Sequence, residues 1–170
     1  ENMEEIINEC LKSKDAKKLM EFLNNLHDNE IVSQVFDRFY HNSPDFYSEL
    51  CNEGIILNNC VAHYKYSVLL IFDSSNKELE ASNQRENYEK AQFHLEESIR
   101  LGFNKSYFLL ARLFHEVFNQ DKKAAEIAME GSKRGENLSK CLLGFFIANG
   151  IGMEKDMQKG ISLMLESGAE

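Results

Sequence analysis

The sequence predicts an all-α protein, an α-solenoid of antiparallel helix hairpins, and three observations predict it. Proline occurs once and glycine nine times in 170 residues, beside many Leu, Glu, Lys, Ala and Asn. That supply suits helices, whereas sheets need more turn and β-branched residues. A block of sequence also recurs every 33 residues: Ala91 to Ala124, Gly102 to Gly135, Ser106 to Ser139, Leu110 to Leu143 and Ala111 to Gly144. Each copy divides into two amphipathic stretches, and a hairpin that cannot bury its apolar face alone does so by stacking on its neighbours.

In chain order, helical patterns run over residues 3–11, 15–26, 30–40 and 44–52. Ser43 followed by Pro44 is a strong helix start, with Ser as cap and Pro at the first helical position. Residues 1–58 match the repeat poorly and are expected to be an N-terminal cap or degenerate repeats. A divergent hairpin follows, with helices over 59–72 and 87–101 separated by the polar stretch 73–86, which is expected to be a flexible loop. The next two hairpins put first helices at 106–118 and 139–149, and each second helix starts at an Asp. Asp121 and Asp156 are the expected N-caps of the second helices, and Asn104 and Asn137 those of the first. Gly102 and Gly135 supply the left-handed residue that stops a helix. The small residues Ala91, Ala124, Ala125 and Gly160 allow close approach of the two helices of a hairpin. The repeat region therefore divides into 59–102, 103–135 and 136–170.

Composition excludes some function classes. A formal net charge of −9 and a sequence pI near 5.1 give no attraction for phosphate backbones, so no nucleic-acid partner is expected. No apolar run approaches the ~20 residues of a membrane helix, and membrane insertion is not expected. Glu1 stands where a natural chain would begin with Met, and Glu170 falls inside a helical pattern, so the full protein is expected to be longer. Cytoplasmic localisation is the default in the absence of a signal segment or regular cysteine pairs. Cys10, Cys51, Cys60 and Cys141 show no C-x-x-C pair and read as buried thiols, with a disulfide between Cys51 and Cys60 left open.

No cofactor or metal is expected. The five histidines, His27, His41, His63, His94 and His115, show no i, i+4 pair and no neighbouring glutamate motif. Asn149-Gly-Ile-Gly152 lacks the Gly-Lys-Ser/Thr of a phosphate loop and reads as a helix–helix turn. Asn104-Lys-Ser106 and Asn137-Leu-Ser139 are formal glycosylation sequons, better explained as helix starts in one register.

The run Ser139-Lys-Cys-Leu-Leu-Gly-Phe-Phe-Ile-Ala-Asn-Gly-Ile-Gly-Met-Glu-Lys-Asp-Met-Gln-Lys-Gly160 resembles the Sel-1-like repeat, a relative of the tetratricopeptide repeat. Leu143-Gly144 matches its Leu-Gly pair, Gly150 and Gly152 its Gly-x-Gly turn, and Asp156 with Lys159 the start of its second helix. Met153 replaces Val, Ile147 stands where an aromatic is usual, and Gly160 where Ala is usual. The preceding unit lacks Gly-x-Gly, which makes it 33 residues long against the 36 from Ala124 to Gly160. The resemblance covers about residues 104–170 and extends more weakly from 59.

The resemblance implies a right-handed solenoid that serves as a scaffold or adaptor, binds a protein or peptide partner and catalyses nothing. In such stacks the first helix of each hairpin lines the concave face. With Ala111 and Gly144 as packing positions, the groove would take Phe108, Arg112, His115 and Glu116, then Cys141, Phe145, Ala148 and Asn149, with Tyr64 from the divergent unit. An aromatic-plus-Arg groove of this kind suits an extended peptide or partner helix, with Arg112 pairing a carboxylate. The same positions suit core packing, and periodicity alone does not separate the two. Two alternatives stand beside this reading: homodimerisation through the repeat ends, or a regulatory or targeting region of a larger enzyme.

Overall fold

The computed structural model describes residues 2–74 and 80–168. Among these residues the chain forms ten α-helices and no strand. They are α1 (Met3–Ser13), α2 (Ala16–Asn24), α3 (Asn29–Asn42), α4 (Pro44–Ile56), α5 (Cys60–Ser74), α6 (Ala81–Arg100), α7 (Ser106–Glu116), α8 (Asp121–Lys133), α9 (Asn137–Asn149) and α10 (Met157–Glu166). The helices divide between two compact units, Glu1–Phe103 and Asn104–Glu170.

In the first unit α4 packs on α2, α3 and α5, and α5 pairs with α6. The core is buried where these helices meet: Leu19, Met20 and Leu23 of α2, Phe36 and Phe39 of α3, Leu50 and Cys51 of α4, and Val61 and Ala62 of α5. Aromatic edges lock α3 to α4, with Phe36 against Tyr47 at 5.8 Å and Phe39 against Phe46 at 4.9 Å between ring centroids. A Cβ at Gly54 would collide with that of Ala62 and lie 3.1 Å from the sulfur of Met20. Glycine at this point lets α4 sit against α2 and α5 at once.

In the second unit α7 pairs with α8, α8 with α9 and α9 with α10, and α7 also touches α9. The buried layer is Leu110, Ala111 and Phe114 of α7, Ala124, Ala125 and Ala128 of α8, and Leu143, Phe146 and Ile147 of α9. Alanines along α8 keep the helices close, since a larger side chain at each crossing would hold the backbones apart.

Helix ends explain the repeat. After α6 the amide of Gly102 donates to Ile99 O at 2.9 Å and that of Phe103 to Ser98 O at 3.0 Å; after α8, Gly135 donates to Ser132 O and Glu136 to Gly131 O, both at 3.0 Å. Both glycines have positive φ, 101° and 82°, the conformation this helix stop requires. α4 ends in the same way without a glycine. Asn58 takes φ 54°, and Asn58 and Asn59 donate to Ile55 O and Gly54 O. The hairpin register thus reaches back to α4, hidden in the sequence because Asn occupies the glycine position.

Two expectations need correction. The stretch 73–86 is not a loop at its ends: α5 runs through Ser74 and α6 begins at Ala81. Its polarity belongs to a solvated helix face carrying the i, i+4 pairs Arg85–Glu89 and Glu86–Lys90; residues 75–79 of the expected loop lie outside the described residues. Asp156 caps α10 as expected, accepting from Lys159 N at 3.0 Å. Asp121, however, is the first residue of α8 rather than its cap, because His115 claims its carboxylate. Asn137 is likewise inside α9, which Glu136 caps by accepting from the amides of Leu138 and Ser139. α7 has no side-chain cap, so Asn104 does not serve as one. The four cysteines are free thiols as expected, three of them buried and Cys141 half-buried, and the bridge left open between Cys51 and Cys60 is not formed.

Candidate interaction face

The first helices of the two hairpins in the second unit, α7 and α9, each turn one face outward. On α7 this face carries half-buried Phe108 and exposed Arg112 and Glu116. The guanidinium of Arg112 lies over the Phe108 ring at 5.6 Å, and its Nε and Nη2 donate to the two carboxylate oxygens of Glu116 at 3.0 and 3.2 Å. The charge of Arg112 is thus answered within its own helix, and a partner carboxylate would have to displace Glu116.

On α9 the outward face is apolar. Leu138 is 51% exposed and Phe145 43%, two turns apart on the same side, with half-buried Cys141 and Leu142 between them. Asn149 extends the face by one turn, its Nδ2 donating to Phe145 O at 2.9 Å. Thirty-three residues earlier, Lys105 at the N-terminal boundary of α7 and Arg112 within it stand in place of Leu138 and Phe145. The two helices therefore offer one amphipathic and one apolar surface from the same register.

Other residues expected in the groove pack inward. Ala148 is buried, because a Cβ at Gly160 of α10 would lie within 2.6 Å of it. His115 is half-buried between three helices: its Nδ1 meets Asp121 Oδ1 at 2.7 Å and its ring stands 5.4 Å from Phe146. Tyr64 belongs to the first unit, where its ring sits edge-on to Phe103 at 5.3 Å. The residues Asn149-Gly-Ile-Gly152 open the turn from α9 to α10. Gly150 and Gly152 have φ 68° and 70°, and any Cβ at Gly152 would strike the backbone carbonyl of Asp121, so the turn is pressed against the start of α8.

Sequence reasoning missed one cluster. His63 of α5 and His94 of α6 place their Nδ1 atoms 2.8 Å apart, and His63 Nε2 meets Asn58 Oδ1 at 2.8 Å. No periodic signal marks the pair, since its members lie in a hairpin whose long insertion breaks the 33-residue step. Burial depresses the basicity of both rings, and burial with the neighbouring His63 pushes His94 down to about 4. No group of three or more His, Cys, Asp and Glu among the described residues is placed to hold a metal ion. No helix among them is long and apolar enough to cross a membrane.

No family model matches the chain, and no curated protein matches it. Among solved structures, a Sel1 repeat protein from Oxalobacter formigenes is similar, with 13% sequence identity and a TM-score of 0.43, over 95% of this chain and 80% of that one. Among the described residues every regular element is a helix. The chain's hairpin architecture rests on its own packing: the equivalent helix stops at Gly102 and Gly135 and the paired crossings of α7 with α8 and α9 with α10.

Proposed function

We propose that this chain is a protein-interaction module that binds a helix or extended peptide of a partner along the outward faces of α7 and α9. The apolar stripe on α9 carries the reading. Leu138 and Phe145 leave about half of their surface in water on a helix packed by α7, α8 and α10. Burying the exposed half of two such side chains contributes on the order of 1 kcal/mol each to a complex. Their spacing of seven residues matches the i, i+7 anchors of an amphipathic partner helix. Arg112 flattened on Phe108 adds a cation–π surface at the polar edge. Charge is consistent with an apolar contact: residues 104–170 carry nine Lys and Arg against nine Asp and Glu, while residues 1–103 carry ten against nineteen.

The reading uses no catalytic group. A photo-crosslinking amino acid at position 145 tests it against one at Glu126, an exposed position on α8. Adducts with one partner at 145 and none at 126 support the face; adducts at 126 alone move the binding surface to α8.

A second reading, self-association, is favoured by α10. Met157, Ile161 and Leu165 follow one another at four-residue spacing and all are exposed, Leu165 to 75%. In the preceding hairpin the equivalent of Ile161, thirty-six residues earlier, is Ala125, which is buried. A second copy stacked on α10 would bury that face. Sedimentation equilibrium of wild type and Ile161→Glu decides between a dimer that the substitution dissolves and a monomer that it leaves unchanged.

A further inference from the structure

We propose that the His63–His94 contact is an acid-sensitive latch that holds α5 to α6 at neutral pH and releases it in mildly acidic surroundings. The geometry sets the proton positions. Asn58 Oδ1 accepts from His63 Nε2–H, so the Nδ1 of His63 carries a lone pair and accepts the Nδ1–H of His94 across 2.8 Å. Both rings are neutral in this arrangement. A first proton has only His94 Nε2 to occupy, and it charges a ring that burial disfavours. A second proton must go to His63 Nδ1, which removes the bond's acceptor and sets two imidazoliums nitrogen to nitrogen at 2.8 Å.

The surroundings reinforce this. His63 is buried, and Tyr66 stands edge-on to His94 at 4.8 Å. The charges that act on the pair are Glu97, which favours protonation, and Arg100, which opposes it at His63. Those two bind each other at 2.7 Å, so neither is free to neutralise an imidazolium. On the other helices packed against α5, Asp37 of α3 is taken by Lys65 at 2.6 Å, and buried Cys51 of α4 is held as a neutral thiol.

The sign follows from proton binding. Each ring binds its proton more weakly in the folded chain than at the ordinary value near 6.5. Opened chain therefore takes up more protons than closed chain between about pH 6.5 and 4, and the latch loses stability as pH falls through that window. Discounted for partial exposure of His94, the opening equilibrium of the hairpin should rise about tenfold between pH 7.5 and 5.0.

Hydrogen exchange corrected for intrinsic rates, with imidazole titration by NMR, tests this on the whole chain. The expected result is faster exchange in α5 and α6 at pH 5.0, with α9 unchanged, and flattening of the difference in His94→Gln and His63→Gln. Equal acceleration in α9, or a response that persists in a folded variant, overturns the latch. So does titration of both wild-type rings near 6.5, a readout that needs no variant.

Discussion

Gly144 of α9 and Gly160 of α10 lie against each other so closely that a Cβ on Gly160 would come within 2.5 Å of the Gly144 carbonyl oxygen. A Cβ on Gly144 would come within 2.7 Å of that of Gly160. The obstructing atoms are backbone, which cannot rotate away. Gly144→Ala and Gly160→Ala should therefore each destabilise by about 1–3 kcal/mol despite alanine's better helix propensity. The double variant should cost less than the sum, because one separation of the helices accommodates both methyls. Urea unfolding measures all three.

Gly102→Ala separates crowding from backbone conformation. No atom lies within 4 Å of a Cβ there, yet φ is 101°. The substitution should cost about 1–2 kcal/mol from the left-handed backbone alone. A loss well above that, in the same urea series, would mean that the turn is packed from outside.

Ser139 sits under α8 against Gly131, and its buried hydroxyl has no hydrogen-bond partner among the described residues. An unpaired buried hydroxyl costs about 1–3 kcal/mol, so Ser139→Ala should leave thermal stability unchanged or raise it. The equivalent position in α5, facing Gly54 as Ser139 faces Gly131, already holds Ala62. A fall in Tm would show that the hydroxyl is bonded after all.

Capping supplies a paired comparison. Asp156→Ala removes the acceptor for Lys159 N and should cost about 1 kcal/mol. Asn137→Ala should stay within about 0.5 kcal/mol, because Glu136 holds the start of α9.

Thiol reactivity reports the core. Cys51 is fully buried and its thiol is pushed up to about 12 by burial; Cys10 and Cys60 are raised for the same reason. At pH 8 a disulfide reagent should find Cys141 promptly and the other three only after unfolding, as absorbance of the released thiolate records.

Much of this architecture was legible in the sequence because its repeat is written in packing and turn residues. Ala111, Gly144, Gly102 and Gly135 are where geometry tolerates few alternatives, so their spacing marks the hairpins. The α4 helix stop escaped because Asn58 reaches the left-handed region with a side chain. Caps were misread where a neighbour competed: Asp121 was expected to cap α8, but His115 binds it instead. The exposure of the proposed face was half legible. Helical spacing put Arg112 and Phe145 outward but equally allowed Ala148, which the Gly144–Gly160 contact draws inward. Leu138 was overlooked because a helix's first turn carries no periodic signal. The His63–His94 pair was invisible, since only the fold brings residues of different helices to one point.

The central claim is that the apolar stripe of α9 binds a partner protein. Capture from source cells with wild type and with Leu138→Ser/Phe145→Ser, once circular dichroism confirms an unchanged helical fold, tests it most directly. The account predicts a partner retained by wild type and lost by the folded double variant. Retention of the same partners by both proteins would contradict it.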